Sequence, residues 1–211
     1  MRIVRATKTT IREAVQIIGE GGLVVYPTDT VYGLGCDPFN ISAVERVMKA
    51  KGRWRKPLPV LVASLNNAEQ IAWITNDAYK LAKKFWPSAL TLILKKKPVL
   101  PSVVTCGLSR VGVRVPNHAI ALRLIQLSGG SLIGTSANIT GERSPRTAVE
   151  AAEQIGKHVN LILDAGASPL GRDSTVLNLS SKKPRILRLG PIGVRDLAEV
   201  LGVSESELYR G

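Results

Sequence analysis

The chain has 211 residues, 45% of them apolar, which sits at the upper end of a single-domain range and excludes a mainly disordered polypeptide. Lysine and arginine number 29 against 16 acidic residues, and the net charge of +13 predicts attraction to polyanions such as nucleotides, RNA or acidic lipid. Cys36 and Cys106 have no ligand-spaced partner and only His118 and His158 are histidines, so a disulfide framework, a CxxC site and a three-histidine metal cage are excluded.

From the N-terminus, Thr9 to Glu20 places Ile11, Ala14, Val15 and Ile18 on one face and predicts an amphipathic helix. Residues 22–27, GLVVYP, read as a short buried strand running into the hydroxyl-rich turn Thr28-Asp29-Thr30. A helix over 41–50 follows, then a strand over 58–63, a helix over 75–85 ended by Pro87, and a strand over 90–94. Residues 111–115 and 132–134 are further strand candidates, separated by a helix over 119–127. A helix over 147–155 precedes strands at 161–163, 175–179 and 186–189, and two short helices close the chain at 194–201 and 204–209. Helices and strands intermix without a linker or repeat, which reads as one α/β domain over 1–190 with a short helical C-terminal extension over 191–211. No window reaches the ~18 consecutive apolar residues of a membrane span, and the charged N-terminus has no apolar leader core. The expectation is a cytoplasmic protein that does not engage a membrane.

Residues 49–56, KAKGRWRK, hold five cations in eight positions. Such a run reads either as a solvated loop or, because Gly52 between Lys51 and Arg53 allows a tight turn, as two cations converging on a phosphate chain. Residues 134–141, GTSANITG, put Ser136 and Asn138 at a strand end, where small polar groups either cap the next helix or face a ligand. Arg114 and Arg188 each interrupt an apolar strand, in VGVRVP and ILRLG, and such a pair points more often into a polar cleft than to open solvent. The P-loop, dinucleotide and nucleophile-elbow fingerprints are all missing. Cations, hydroxyls and amides without a strong base suit chemistry in which a polyphosphate is held and its charge stabilised.

Taken in order, YPTDTVYGLGCD (26–37), KGR and KPLPVLV (51–62), WPSALTLIL (86–94), VGVRVPNH (111–118), GTSANITG (134–141), STV (174–176) and ILRLG (186–190) resemble the YrdC/TsaC family. The resemblance covers about residues 5–190 and implies a twisted, mixed α/β sheet with flanking helices enclosing a basic concave cleft. It implies threonylcarbamoyl-AMP synthesis from L-threonine, bicarbonate and ATP, with pyrophosphate released, for modification of tRNA adenosine 37 by a downstream threonylcarbamoyl transferase complex. By the same resemblance Lys51, Arg53, Lys56, Ser136, Asn138, Ser144 and Arg188 would hold ATP, with Lys51 and Arg53 carrying the catalytic charge. Thr30, Arg114, Ser136 and Ser174 would hold threonine, Arg114 taking its carboxylate. Magnesium would be carried mainly by ATP, since no acidic cluster marks a protein cage. Arg110 and Arg146 stand where family members often have small hydroxyl residues.

Two other readings compete. Related carbamoyl-adenylate chemistry occurs in hydrogenase maturation, within far longer chains carrying further domains. The charge also suits a plain RNA-binding module with weak, non-specific affinity, although aromatic residues make up only 4% of the chain and form no stacking set.

Overall fold

The computed structural model describes residues 1–52 and 56–209. Most α-helix starts are set locally, by side chains that occupy otherwise unpaired N–H groups. Strand β1 (Arg2–Arg5) leads to α1 (Lys8–Gly19), where the Thr7 hydroxyl accepts from the Thr10 N–H and Thr10 returns the bond as a capping box. Strands β2 (Val24–Tyr26) and β3 (Gly33–Gly35) flank the threonine turn, and Asn40 caps α2 (Ile41–Ala50). After β4 (Val60–Val62), Ser64 caps α3 (Leu65–Ile71) and Thr75 caps α4 (Asn76–Phe85). Strands β5 (Leu90–Lys95) and β6 (Arg110–Arg114) precede α5 (Ala119–Leu127), β7 (Ser131–Ile133) and β8 (Thr135–Ser136). Thr147 caps α6 (Ala148–Ile155), and β9 (Leu161–Asp164), β10 (Thr175–Asn178), β11 (Arg185–Arg188) and α7 (Val194–Leu201) complete the chain's main elements.

The mixed α/β architecture is as read from the sequence, with the strands divided between two mixed sheets. One has the order β1-β9-β2-β3-β8 and the other β11-β10-β5-β6-β4-β7. Four short elements escaped the sequence pattern. Strand β1, RIVR, is largely exposed and pairs only with β9, about 160 residues away in sequence, so no local periodicity marks it. Helix α3 is seven residues long with two asparagines, and β3 and β8 are three and two residues long.

Two buried clusters hold the layers together. Helices α1 and α5 pack Ile11, Ile18, Leu124 and Ile125 over Val24, Tyr26, Leu161 and Leu163 of the five-stranded sheet. In the six-stranded sheet, β5 turns Leu90, Leu92 and Leu94 into the larger cluster beside Val111 and Val113 of β6. Each fully buried side chain of this size stabilises the fold by about 1.5–3 kcal/mol. Because side chains alternate across a strand, the intervening residues Thr91, Ile93, Gly112 and Arg114 fall on the opposite face, where they line a cleft. Leu197 and Ala198 of α7 are buried, and this helix packs against α4.

Candidate substrate cleft

The cleft has a volume of about 280 Å³ and lies between the outer face of the six-stranded sheet and the edge carrying Thr30 and Ser136. Its inner wall is built from the turn after β2. The Thr28 hydroxyl donates to the Val31 carbonyl at 2.6 Å and accepts from the N–H groups of Thr30 and Val31. The Thr28 and Thr30 hydroxyl oxygens lie 2.9 Å apart. Thr30 Oγ1 accepts from Arg114 Nη1 at 2.9 Å, and Thr30 lines the cleft.

Arg114 ends β6 opposite Leu61 and is 5% exposed. Its Nε donates to the Ser88 carbonyl at 2.8 Å, and its Nη2 is bonded and ion-paired to Asp29 Oδ1. That oxygen also accepts from the Asn117 N–H at 3.1 Å. Burial pushes the Arg114 pKa down from its ordinary value, and Asp29 opposes the shift. Three of the five guanidinium N–H donors are used by these bonds, so two remain.

The outer wall repeats the Arg–Asp chemistry nearer to solvent. Arg188 donates from Nε to the Ser174 carbonyl at 2.9 Å, from Nη2 to Ser174 Oγ at 3.2 Å and from Nη1 to Asp173 Oδ2 at 3.2 Å. The other Asp173 oxygen accepts from the Ser144 hydroxyl at 3.2 Å. Ser174 Oγ lies 2.8 Å from Thr91 Oγ1, so a continuous polar chain runs from β5 to Ser144.

Of the residues read from the sequence, Thr30, Arg114, Ser136, Ser174 and Arg188 line this cleft, and Ser144 joins it through Asp173. Lys51 is placed differently. It is 1% exposed, and its ammonium donates to the carbonyls of Ser136 and Asn138, the latter at 2.8 Å, so it braces the loop that presents Ser136. The Asn138 side-chain amide donates to the Ile139 and Glu142 carbonyls at 2.9 and 2.7 Å and so helps shape the same loop. Lys56 is exposed and does not line the cleft, and Arg53 lies outside the described residues.

Sequence reasoning missed Asp29, Thr91 and Asp173. A signal for Asp29 existed: an arginine inside an apolar strand requires a counter-charge, and TDT supplies an acid between two hydroxyls. Thr91 stands in the alternating run LTLIL, which assigns it to the face opposite the leucines. Among the described residues no helix is long and apolar enough to cross a membrane.

The Sua5/YciO/YrdC family model, described as telomere recombination, matches residues 16–190. A threonylcarbamoyl-AMP synthase of Pyrococcus abyssi is 42% identical over 200 residues, covering 94% of this chain and 59% of that protein. The chain thus spans about three fifths of that relative's length. A protein named putative threonylcarbamoyl-AMP synthase from Mycobacterium tuberculosis (strain CDC 1551 / Oshkosh) is 41% identical over 201 residues, covering 94% of this chain and 92% of its own. The crystal structure of P. abyssi Sua5 complexed with L-threonine superposes with a TM-score of 0.91 at 41% identity, covering 98% of this chain and 60% of that one.

Proposed function

This chain belongs to the Sua5/YciO/YrdC family, and from that premise we propose that it is a threonylcarbamoyl-AMP synthase, a nucleotidyltransferase acting on L-threonine, bicarbonate and ATP. The observation that carries the reading is the buried Arg114, held beside Thr30 in a cleft that the Thr91–Ser174 pair also lines. A planar guanidinium with two N–H groups to spare suits a carboxylate, and hydroxyls on both sides suit the polar groups of threonine. The relative crystallised with L-threonine supports the same substrate.

In this reading threonine's ammonium group loses a proton to solvent and the free amine captures CO2 with release of a second proton, or bicarbonate with loss of water, as a carbamate, whose oxygen attacks the α-phosphate of ATP and displaces pyrophosphate. Arg188, Ser144 and Ser136 face the nucleotide, and Arg53 is assigned to ATP by the family resemblance alone. Lys51 contributes by holding the Ser136 loop in place, as well as by its positive charge. Magnesium accompanies ATP. Among the described residues no His, Cys, Asp or Glu cluster is suited to a resident ion, and the one carboxylate lining the cleft, Asp173, is already bonded to Ser144 and Arg188. The product passes in the cytoplasm to a transferase complex that modifies tRNA adenosine 37, and the +13 charge adds weak, salt-sensitive RNA affinity.

Pyrophosphate release tests this directly. Release from ATP that requires both threonine and bicarbonate is the expected result. Release independent of threonine, or none in the presence of all three substrates, rejects the assignment.

A further inference from the structure

Each arginine lining the cleft has its own carboxylate, but the two pairs meet a ligand under different conditions. The Arg188 and Asp173 side chains are 47% and 36% exposed, so water screens their charges, whereas Arg114 and Asp29 are each 6% exposed. A carboxylate arriving at Arg114 therefore meets a site whose net charge is already close to zero. It gains one cation and faces one anion at short range, with little solvent to moderate either. A zwitterion brings its own compensating cation.

One further detail points the same way: Asp29 spends Oδ1 on Arg114 and the Asn117 N–H, while its Oδ2 is buried behind the cleft lining with no hydrogen-bond partner among the described residues, so its negative charge acts on the Arg114 site through a medium with little water.

We propose that Asp29 makes the Arg114 site selective for zwitterionic amino acids over the same acids lacking the α-ammonium group. The inference rests on the reading that Arg114 receives the amino-acid carboxylate. Were Asp29 only a brace for the arginine, its loss would weaken every carboxylate ligand alike.

The test is isothermal titration of L-threonine and of 3-hydroxybutyrate, which is threonine without its amine, into the wild type, Asp29→Asn and Asp29→Glu. In the wild type the hydroxy acid binds more weakly by about 10-fold or more, as an uncompensated charge near a buried carboxylate should. In Asp29→Asn the gap narrows to within about 3-fold, and in Asp29→Glu, which restores the charge, it reopens. A gap unchanged in Asp29→Asn overturns the proposal, and so does wild-type protein that binds both ligands equally, a result requiring no variant. Arg114→Lys separates the two levels. Normal threonine binding in that variant means the placement of the amino acid at Arg114 has failed; weakened binding with an unchanged Asp29 gap means that only the selectivity claim has.

Discussion

The two arginine–aspartate pairs of the cleft contain the same functional groups, yet their surroundings give them different energetic meanings. Arg114–Asp29 is buried between the turn after β2 and the end of β6, and Arg188–Asp173 stands at the solvent edge on β11. Removing one partner of a buried pair strands a desolvated charge, whereas an exposed ion replaces a lost partner with water. The inner pair is therefore part of the fold as well as part of the cleft wall, and the outer pair can rearrange around a ligand at little cost.

The largest expected effect is on the inner pair. Asp29→Ala should lower unfolding free energy by about 3–5 kcal/mol in a denaturant titration, because it leaves the Arg114 guanidinium buried and uncompensated. Next comes the brace beneath the nucleotide side: Lys51→Ala should reduce adenylate formation by about 100-fold or more. It should also cost about 1–3 kcal/mol of stability by leaving the Ser136 and Asn138 carbonyls without their donor, so activity and melting temperature fall together. A Lys51→Ala protein with normal turnover would remove Lys51 from the account altogether.

Thr91→Val keeps the shape of the β5 side chain and deletes the hydroxyl bonded to Ser174. A loss of about 0.5–1.5 kcal/mol is expected, read as a several-fold rise in the Michaelis constant for threonine with little change for ATP. The smallest effect belongs to the outer pair, where Asp173→Asn should shift stability by no more than about 1 kcal/mol. If Asp173→Asn proved as damaging as Asp29→Ala, the contrast between buried and exposed pairs would be wrong.

The order of helices and strands was legible because most of them carry their own signal, either a capping residue or an alternating apolar run such as LTLIL. Five polar cleft residues were legible too: Arg114 and Arg188 stand out in apolar strands, Thr30 and Ser136 follow apolar runs, and Ser174 came from the family resemblance. What was not legible is pairing across the fold. Asp29 lies 85 positions from Arg114 and Thr91 lies 83 from Ser174; the β5–β10 register brings the second pair together, and the first joins the turn after β2 of one sheet to β6 of the other. Lys51 shows the same limit from the other side: KAKGRWRK announces cations without saying which of them is turned inward onto backbone carbonyls.

The central claim is that the amino acid sits at the buried pair and the nucleotide at the exposed one, and steady-state kinetics of Arg114→Lys with each substrate varied in turn test it most directly. Lysine keeps the charge next to Asp29 but cannot reproduce a two-pronged grip on a carboxylate. The account predicts a Michaelis constant for threonine raised by about 10-fold or more with that for ATP nearly unchanged. A normal constant for threonine together with a raised one for ATP would contradict it and exchange the positions of the two substrates.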